Sequence, residues 1–206
     1  VEVAEGFGAA AALMAEFLPL AADRRAHPGD DLFSFIATDP ELSLEDVVVT
    51  AILIAVAGHE TTANLLGAGL IRLVNEQVYT VDGAVITELL RLDGPVQSTV
   101  RTATEDHTVG GVDIAAGDSV VVVVAAANRD PKVFDDPDRF RLGRTGPAPV
   151  AFGYGAHYCL GSALAQLELT IALREVLARQ PVIRGAVTWR DTPAIRGPQT
   201  LPVAFS

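Results

Sequence analysis

The stretch AFGYGAHYCLGSALAQLE, residues 151–168, decides how this chain is read. It holds the only cysteine, Cys159, between a loop broken by Gly153 and Gly155 and the opening of a helical pattern. That pattern runs from Leu160 to about Arg179 and puts Leu160, Leu164, Leu167 and Ile171 on one face. A cysteine at a helix N-terminus feels the positive end of the helix dipole and nearby backbone N–H groups, which favour the thiolate. Glycines at 153, 155 and 161 let the backbone approach a flat object closely. On these residues alone, a buried structural cysteine and a reactive thiol both stand as alternatives.

At 206 residues, half of them hydrophobic and a fifth charged, the chain has enough apolar surface for one domain with a sizeable core. The net charge of −11 argues against nucleic acid, because a surface that tracks phosphates needs a basic excess. One cysteine excludes an internal disulfide, and no Cys/His cluster has zinc spacing, which suits a reducing, cytoplasmic setting. The most apolar run, VVVTAILIAVAG (residues 47–58), is too short to span a bilayer and enters His59 and Glu60 directly, so it reads as a buried helix and no membrane is expected. The chain opens at Val1 within helical sequence, so a fragment or a trimmed chain is expected.

One domain, residues 1–206, is the simplest organisation. Residues 1–95 read as helical, 96–150 as strands followed by an irregular meander, and 151–206 as the cysteine loop, a helix and a C-terminal hairpin. A first helix ends near Ala26, before the Pro28–Gly29 breaker, and a short one covers Leu32–Ala37. SLED (residues 43–46) has the form of a capping box and opens a helix over 44–74, nearly apolar all round in its first half. GAVITELLRLDGP (residues 83–95) is a helix stopped by Gly94 and Pro95. STVRTAT, HTV and VDIAAGDSVVVVVA read as strands, and Asn128–Val150 as a long loop with four prolines. The class is mainly α with a small β portion (α+β).

Phe152, Gly155, His157, Cys159 and Gly161 follow the order Phe-x-x-Gly-x-His-x-Cys-x-Gly. This resembles the haem-binding loop of the cytochrome P-450 family, the haem-thiolate monooxygenases. The resemblance implies haem b held by the Cys159 thiolate, which pushes electron density to iron and favours O–O cleavage. It implies that His157 bonds a propionate, that Phe152 packs against the ligand sulfur, and that Gly155 and Gly161 shape the loop.

Further motifs follow in family order. ELLR sets Glu88 and Arg91 at i and i+3, where alone they would make an ordinary surface pair. In the family such a pair braces the cysteine loop together with an arginine from the later loop, here Arg139 of DPDRF. AGHETT (residues 57–62) puts an acid and a hydroxyl inside an apolar helix, which is costly without partners or a task. A zinc-protease reading fails, because the second histidine would fall at Ala63. The resemblance implies that Thr61 bonds dioxygen, that Glu60 relays protons from solvent and that Gly58 leaves room. Arg101 matches an arginine that bonds a propionate.

The resemblance runs from about residue 10 to the C-terminus, whereas family members are about twice this long. Leu73–Gly83 is also shorter than the usual connection, as if one helix were deleted. The implied activity is oxygen insertion into a small hydrophobic molecule, with a ferredoxin-type electron donor. An uncovered apolar face seldom stays bare, so a second copy or a partner chain covering the missing half is expected. A catalytically inactive relative that stabilises or activates another enzyme, or a fragment of a full-length monooxygenase, would carry the same residues.

Overall fold

A computed structural model of the chain describes residues 2–205, with side chains from Gly8 onward. It divides into two compact units, the first ending at Glu60 and the second beginning at Thr61.

The first unit holds helices α1 (Glu2–Ala26) and α2 (Leu32–Ala37) and the opening turns of α3 (Leu44–Asn75). The start of α3 is fixed by reciprocal bonds. Asp46 N–H donates to Ser43 Oγ at 3.1 Å, and Ser43 N–H donates to the Asp46 carboxylate at 3.0 Å. Two orphan amides are thereby satisfied. Ala21, Ala37, Val47 and Val48 form a small core with Phe17, Phe33 and Ile36 around it. Arg25 ties the pieces together, donating to the carbonyls of Ala37 (2.7 Å) and Leu42 (2.8 Å).

The run at 47–58 departs from the buried helix expected of it. Val47 and Val48 are buried, but Val49, Leu53 and Val56 are more than half exposed. A core this small covers only one side of an all-round apolar helix. The helix itself agrees with the one expected over 44–74, and taken whole it is long and apolar enough to cross a membrane by length and composition.

In the second unit the remainder of α3 packs with α4 (Gly83–Asp93) and α6 (Ser162–Leu177). Leu65, Leu70 and Leu73 of α3, Val85, Ile86 and Leu89 of α4, and Leu169, Leu173 and Leu177 of α6 make the core. The last three recur every four residues, so one stripe of α6 supplies its buried leucines, with Val176 packed beside it. The stripe of Leu164, Leu167 and Ile171 lies on the exposed side. Burial decides between two apolar stripes that sequence periodicity treats alike.

Among the described residues the strands pair as four antiparallel two-stranded ladders. Strand β1 (Thr99–Thr102) pairs with β4 (Ser119–Val122), and β2 (His107–Val109) pairs with β3 (Val112–Ile114). At the C-terminus β5 (Pro181–Ile183) pairs with β8 (Val203–Phe205), and β6 (Thr188–Trp189) with β7 (Pro198–Thr200), the hairpin expected there. The valine run is no single strand. It leaves β4 at Val122 and turns into a short helix α5 (Val124–Ala127), whose last carbonyls and Asn128 start the meander. The helical form fits because α5 docks on the segment entering β1: the Ala125 N–H donates to Gln97 O at 3.1 Å.

Candidate functional site

Glu88, buried on α4, accepts four hydrogen bonds. Its side chain is 5% exposed. Arg91 reaches it with two bonds, Nε to Oε2 and Nη2 to Oε1, each 2.8 Å. This is the fork-to-fork geometry that a guanidinium and a carboxylate favour. Arg144 Nε donates to Oε1 at 2.9 Å, and the Arg141 N–H does so at 2.9 Å. Burial pushes the Glu88 carboxyl up, but the bonds from Arg91, Arg141 and Arg144 together outweigh it and leave its pKa below the ordinary 4.5.

The third member of this group is therefore Arg144 and not Arg139. The Arg139 residue is exposed, and it contributes its carbonyl, which accepts from Arg91 Nη2 (3.0 Å) and Arg144 Nη2 (2.9 Å). The two arginines lie five positions apart in the meander. The turn at Asp136, whose φ is +45°, points the Arg139 backbone inward and brings Arg144 round to the carboxylate. Arg144 also donates to the carbonyls of Asp135 and Asp136.

Arg91 spends its remaining N–H groups on the meander, bonding Asn128 O (2.9 Å) and Pro137 O (2.6 Å), and it stacks 5.2 Å over the Phe134 ring. Asn128 is 2% exposed, and its Oδ1 accepts the Val150 N–H at 2.8 Å. The irregular loop is thus fastened at both ends, and its exit is the cysteine loop. Asn128, Phe134 and Arg144 were missed by sequence reasoning. The prolines and charges around them hinted at an ordered loop, but nothing in the residue types says which of several arginines turns inward.

The cysteine loop is held by its own backbone. Cys159 N–H donates to Phe152 O (2.9 Å), Tyr158 N–H to Gly155 O (3.0 Å) and Gly153 N–H to Val150 O (2.9 Å). Gly153 and Gly155 have φ of +77° and +73°, a region that favours glycine. Phe152 packs on the core and meets Tyr158 edge-on at 6.3 Å. His157 and Cys159 are exposed, as are Tyr154 (91%) and Leu160 (95%). A Cβ placed on Gly155 or Gly161 would meet no heavy atom within 4 Å.

Arg101 stands exposed on β1 opposite Val120, and its Nη1 donates to Thr99 Oγ1 (2.7 Å) and Val100 O (2.9 Å). Gly58, Glu60 and Thr61 follow one another in α3, with Glu60 and Thr61 half-buried and open space beside Gly58.

With this geometry in hand, comparison with known proteins is direct. The Cytochrome P450 family model matches residues 80–182, from the start of α4 to β5. The chain belongs to the cytochrome P450 family. The biotin biosynthesis cytochrome P450 of Bacillus subtilis is 39% identical, over 98% of this chain and 54% of its own length. The steroid C26-monooxygenase of Mycolicibacterium smegmatis is 37% identical, over 89% of this chain and 50% of its own. Among solved structures, P450BioI in complex with acyl carrier protein ligated to hexadec-9Z-enoic acid superposes with a TM-score of 0.88. It is 36% identical and is matched over 95% of this chain and 54% of that one. The chain spans about half the length of the curated relatives it matches.

Cytochrome P450s bind haem through a cysteine thiolate, and this chain has a single cysteine. The residues present fit such a group. Cys159 is presented to the outside of a loop whose glycines leave open space, beside exposed apolar side chains at 154, 158 and 160. The open space beside Gly155 and Gly161 leaves the loop backbone accessible to a flat ring.

Proposed function

We propose that this chain is the cofactor-holding half of a haem-thiolate monooxygenase, acting in the cytoplasm on a small hydrophobic molecule with electrons from a ferredoxin-type donor. The observation that carries the reading is the exposed Cys159, set on a glycine-lined loop that the Glu88 group anchors through the meander. When bound, haem supplies the oxygen activation by which a C–H bond is hydroxylated.

The chain's own residues then have distinct tasks. Cys159 Sγ is the iron ligand, and the Cys159 N–H···O bond to Phe152 holds its backbone in place. Gly155 and Gly161 keep the loop flat enough for the ring, and Phe152 packs behind the sulfur. His157 and Arg101 bond the propionates, Arg101 as a charge-assisted donor. Glu88, Arg91 and Arg144 are structural: they brace the meander and do not touch the reacting atoms. The Glu60 carboxylate relays protons from solvent, the Thr61 hydroxyl donates a hydrogen bond to dioxygen, and Gly58 leaves room for it. A second copy or a partner chain covers the apolar stripe of Leu164, Leu167 and Ile171. The acyl chain carried in the P450BioI complex is an example of the hydrophobic substrate class.

The test is a visible absorption spectrum of the purified chain, as isolated and after reduction under carbon monoxide, beside Cys159→Ala. A strongly red-shifted carbonyl band that the substitution abolishes is the expected result. No haem band after reconstitution with haemin would overturn the reading, and a role as an inactive partner of another enzyme would then lead.

A further inference from the structure

Two stretches whose residue types say little, GPVQST and the hairpin around Ile195, are bonded to each other. Val96 and Ile195 form an isolated antiparallel bridge. Gln97 N–H donates to Ala194 O at 2.8 Å, and Arg196 N–H donates to Pro95 O at 2.7 Å. The segment 95–97 leads directly into β1, where Arg101 stands.

These backbone bonds are few, and the ladder beside them is short. Strand β6 has two residues, β7 has three, and their register is irregular at Thr188 and Trp189. A two-stranded ribbon of that length does not hold its place unaided. What else secures it is side-chain packing. The Arg196 guanidinium lies 4.3 Å over the Trp189 ring, and its Nη1 is 3.9 Å from Asp93 Oδ1. Asp93, at the end of α4, is 5% exposed and already takes two bonds from Arg72 of α3, at 2.9 and 3.0 Å. A single carboxylate thus joins α3, α4 and the hairpin. Below, the fit is close: a Cβ on Gly197 would fall on the Asn64 side chain, and one on Gly67 would stand 2.5 Å from Pro198 Cγ.

We propose that Arg196 is a positioning residue, which clamps the C-terminal hairpin to the segment entering β1 by bridging Trp189 and Asp93. The hairpin and residues 95–97 then move as one piece. An arginine suits the task because its plane stacks on the indole face while its edge still reaches a carboxylate.

The clamp can be read without any cofactor, so it stands or falls independently of the haem proposal. Trp189 is the only tryptophan, and its fluorescence reports the stack alone. In the purified chain, Arg196→Ala should raise acrylamide quenching of Trp189 about twofold. It should also speed amide exchange at Gln97 and at position 196 about fivefold while Leu89 and Leu173 stay unchanged. Trp189→Phe, which keeps a ring, should retain protection at Gln97, and Trp189→Ala should lose it. The proposal is overturned by unchanged exchange at Gln97 in Arg196→Ala or Trp189→Ala. It is equally overturned if Leu89 and Leu173 accelerate with Gln97, since Arg196 would then support the whole unit and not the hairpin.

Discussion

Arg144 Nε lies 2.9 Å from Glu88 Oε1, although 56 residues separate them in the chain. The bond joins the inward face of α4 to the far end of the meander. With Arg91 it turns a proline-rich loop into a fixed support for the cysteine loop. Its energy is conditional: a buried carboxylate bonded to two arginines contributes modestly against an apolar alternative, but losing one partner leaves charge stranded.

Substitution of the two candidate arginines separates them. Arg144→Ala should cost about 2–4 kcal/mol, because its side chain is largely buried and four of its bonds are lost with it. Arg139→Ala keeps the carbonyl that Arg91 and Arg144 use and should stay within about 0.5 kcal/mol of the parent. Urea unfolding followed by circular dichroism measures both. Equal losses would return Arg139 to the group.

Acid should weaken the fold through the same carboxylate. Burial raises the Glu88 pKa, but its hydrogen bonds hold the net value below 4.5. A depressed folded-state pKa means that the contribution is complete above about pH 4.5 and is lost as the pH falls through the folded value. Asp31 and Asp46 are lowered too, mainly by the Ser34 N–H and the Ser43 hydroxyl respectively, and act in the same direction. Urea midpoints measured from pH 7 to 3 should fall at the acid end, with a shallower fall in Glu88→Gln.

Two glycines should respond with opposite signs to the same change. In Gly197→Ala the new methyl collides with Asn64, and overpacking of this kind costs about 1–3 kcal/mol. Gly83, the first residue of α4, has open space beside it, so Gly83→Ala should stabilise by about 0.4–1 kcal/mol through the unfolded chain. Thermal unfolding of the two variants checks the pair.

Cys159→Ala should leave folding untouched. The side chain is exposed, and the loop is held by backbone bonds that alanine preserves, so stability should change by less than about 0.5 kcal/mol. Urea unfolding of cofactor-free protein measures this. A large loss would show that the thiol is structural, and the variant would then be a poor control for haem ligation.

Much of this protein is decided by local sequence. The ends of α2, α3 and α4 follow from Asp31, Ser43 with Asp46, and Asp82, each placed to cap amides within the next turn. Caps, breakers and apolar periodicity act over a few residues, so their effect can be read along the chain. The cysteine loop is legible for the same reason: its glycines, histidine and cysteine all lie within ten positions.

What only the tertiary structure decided involves choices between chemically similar residues far apart. Arg144 was chosen over Arg139 by the turn at Asp136, next to Pro137, whose carbonyl accepts from Arg91 of α4. The Leu169 stripe was buried and the Leu164 stripe left exposed by which neighbours α6 meets. The valine run became strand and then helix because α5 bonds Gln97. The joining of Val96 to Ile195, and of Arg196 to Asp93, spans roughly half the chain. Residue type sets what each group can bond to; the closure of the chain on itself sets which partner arrives, and that is a long-range property no local pattern encodes.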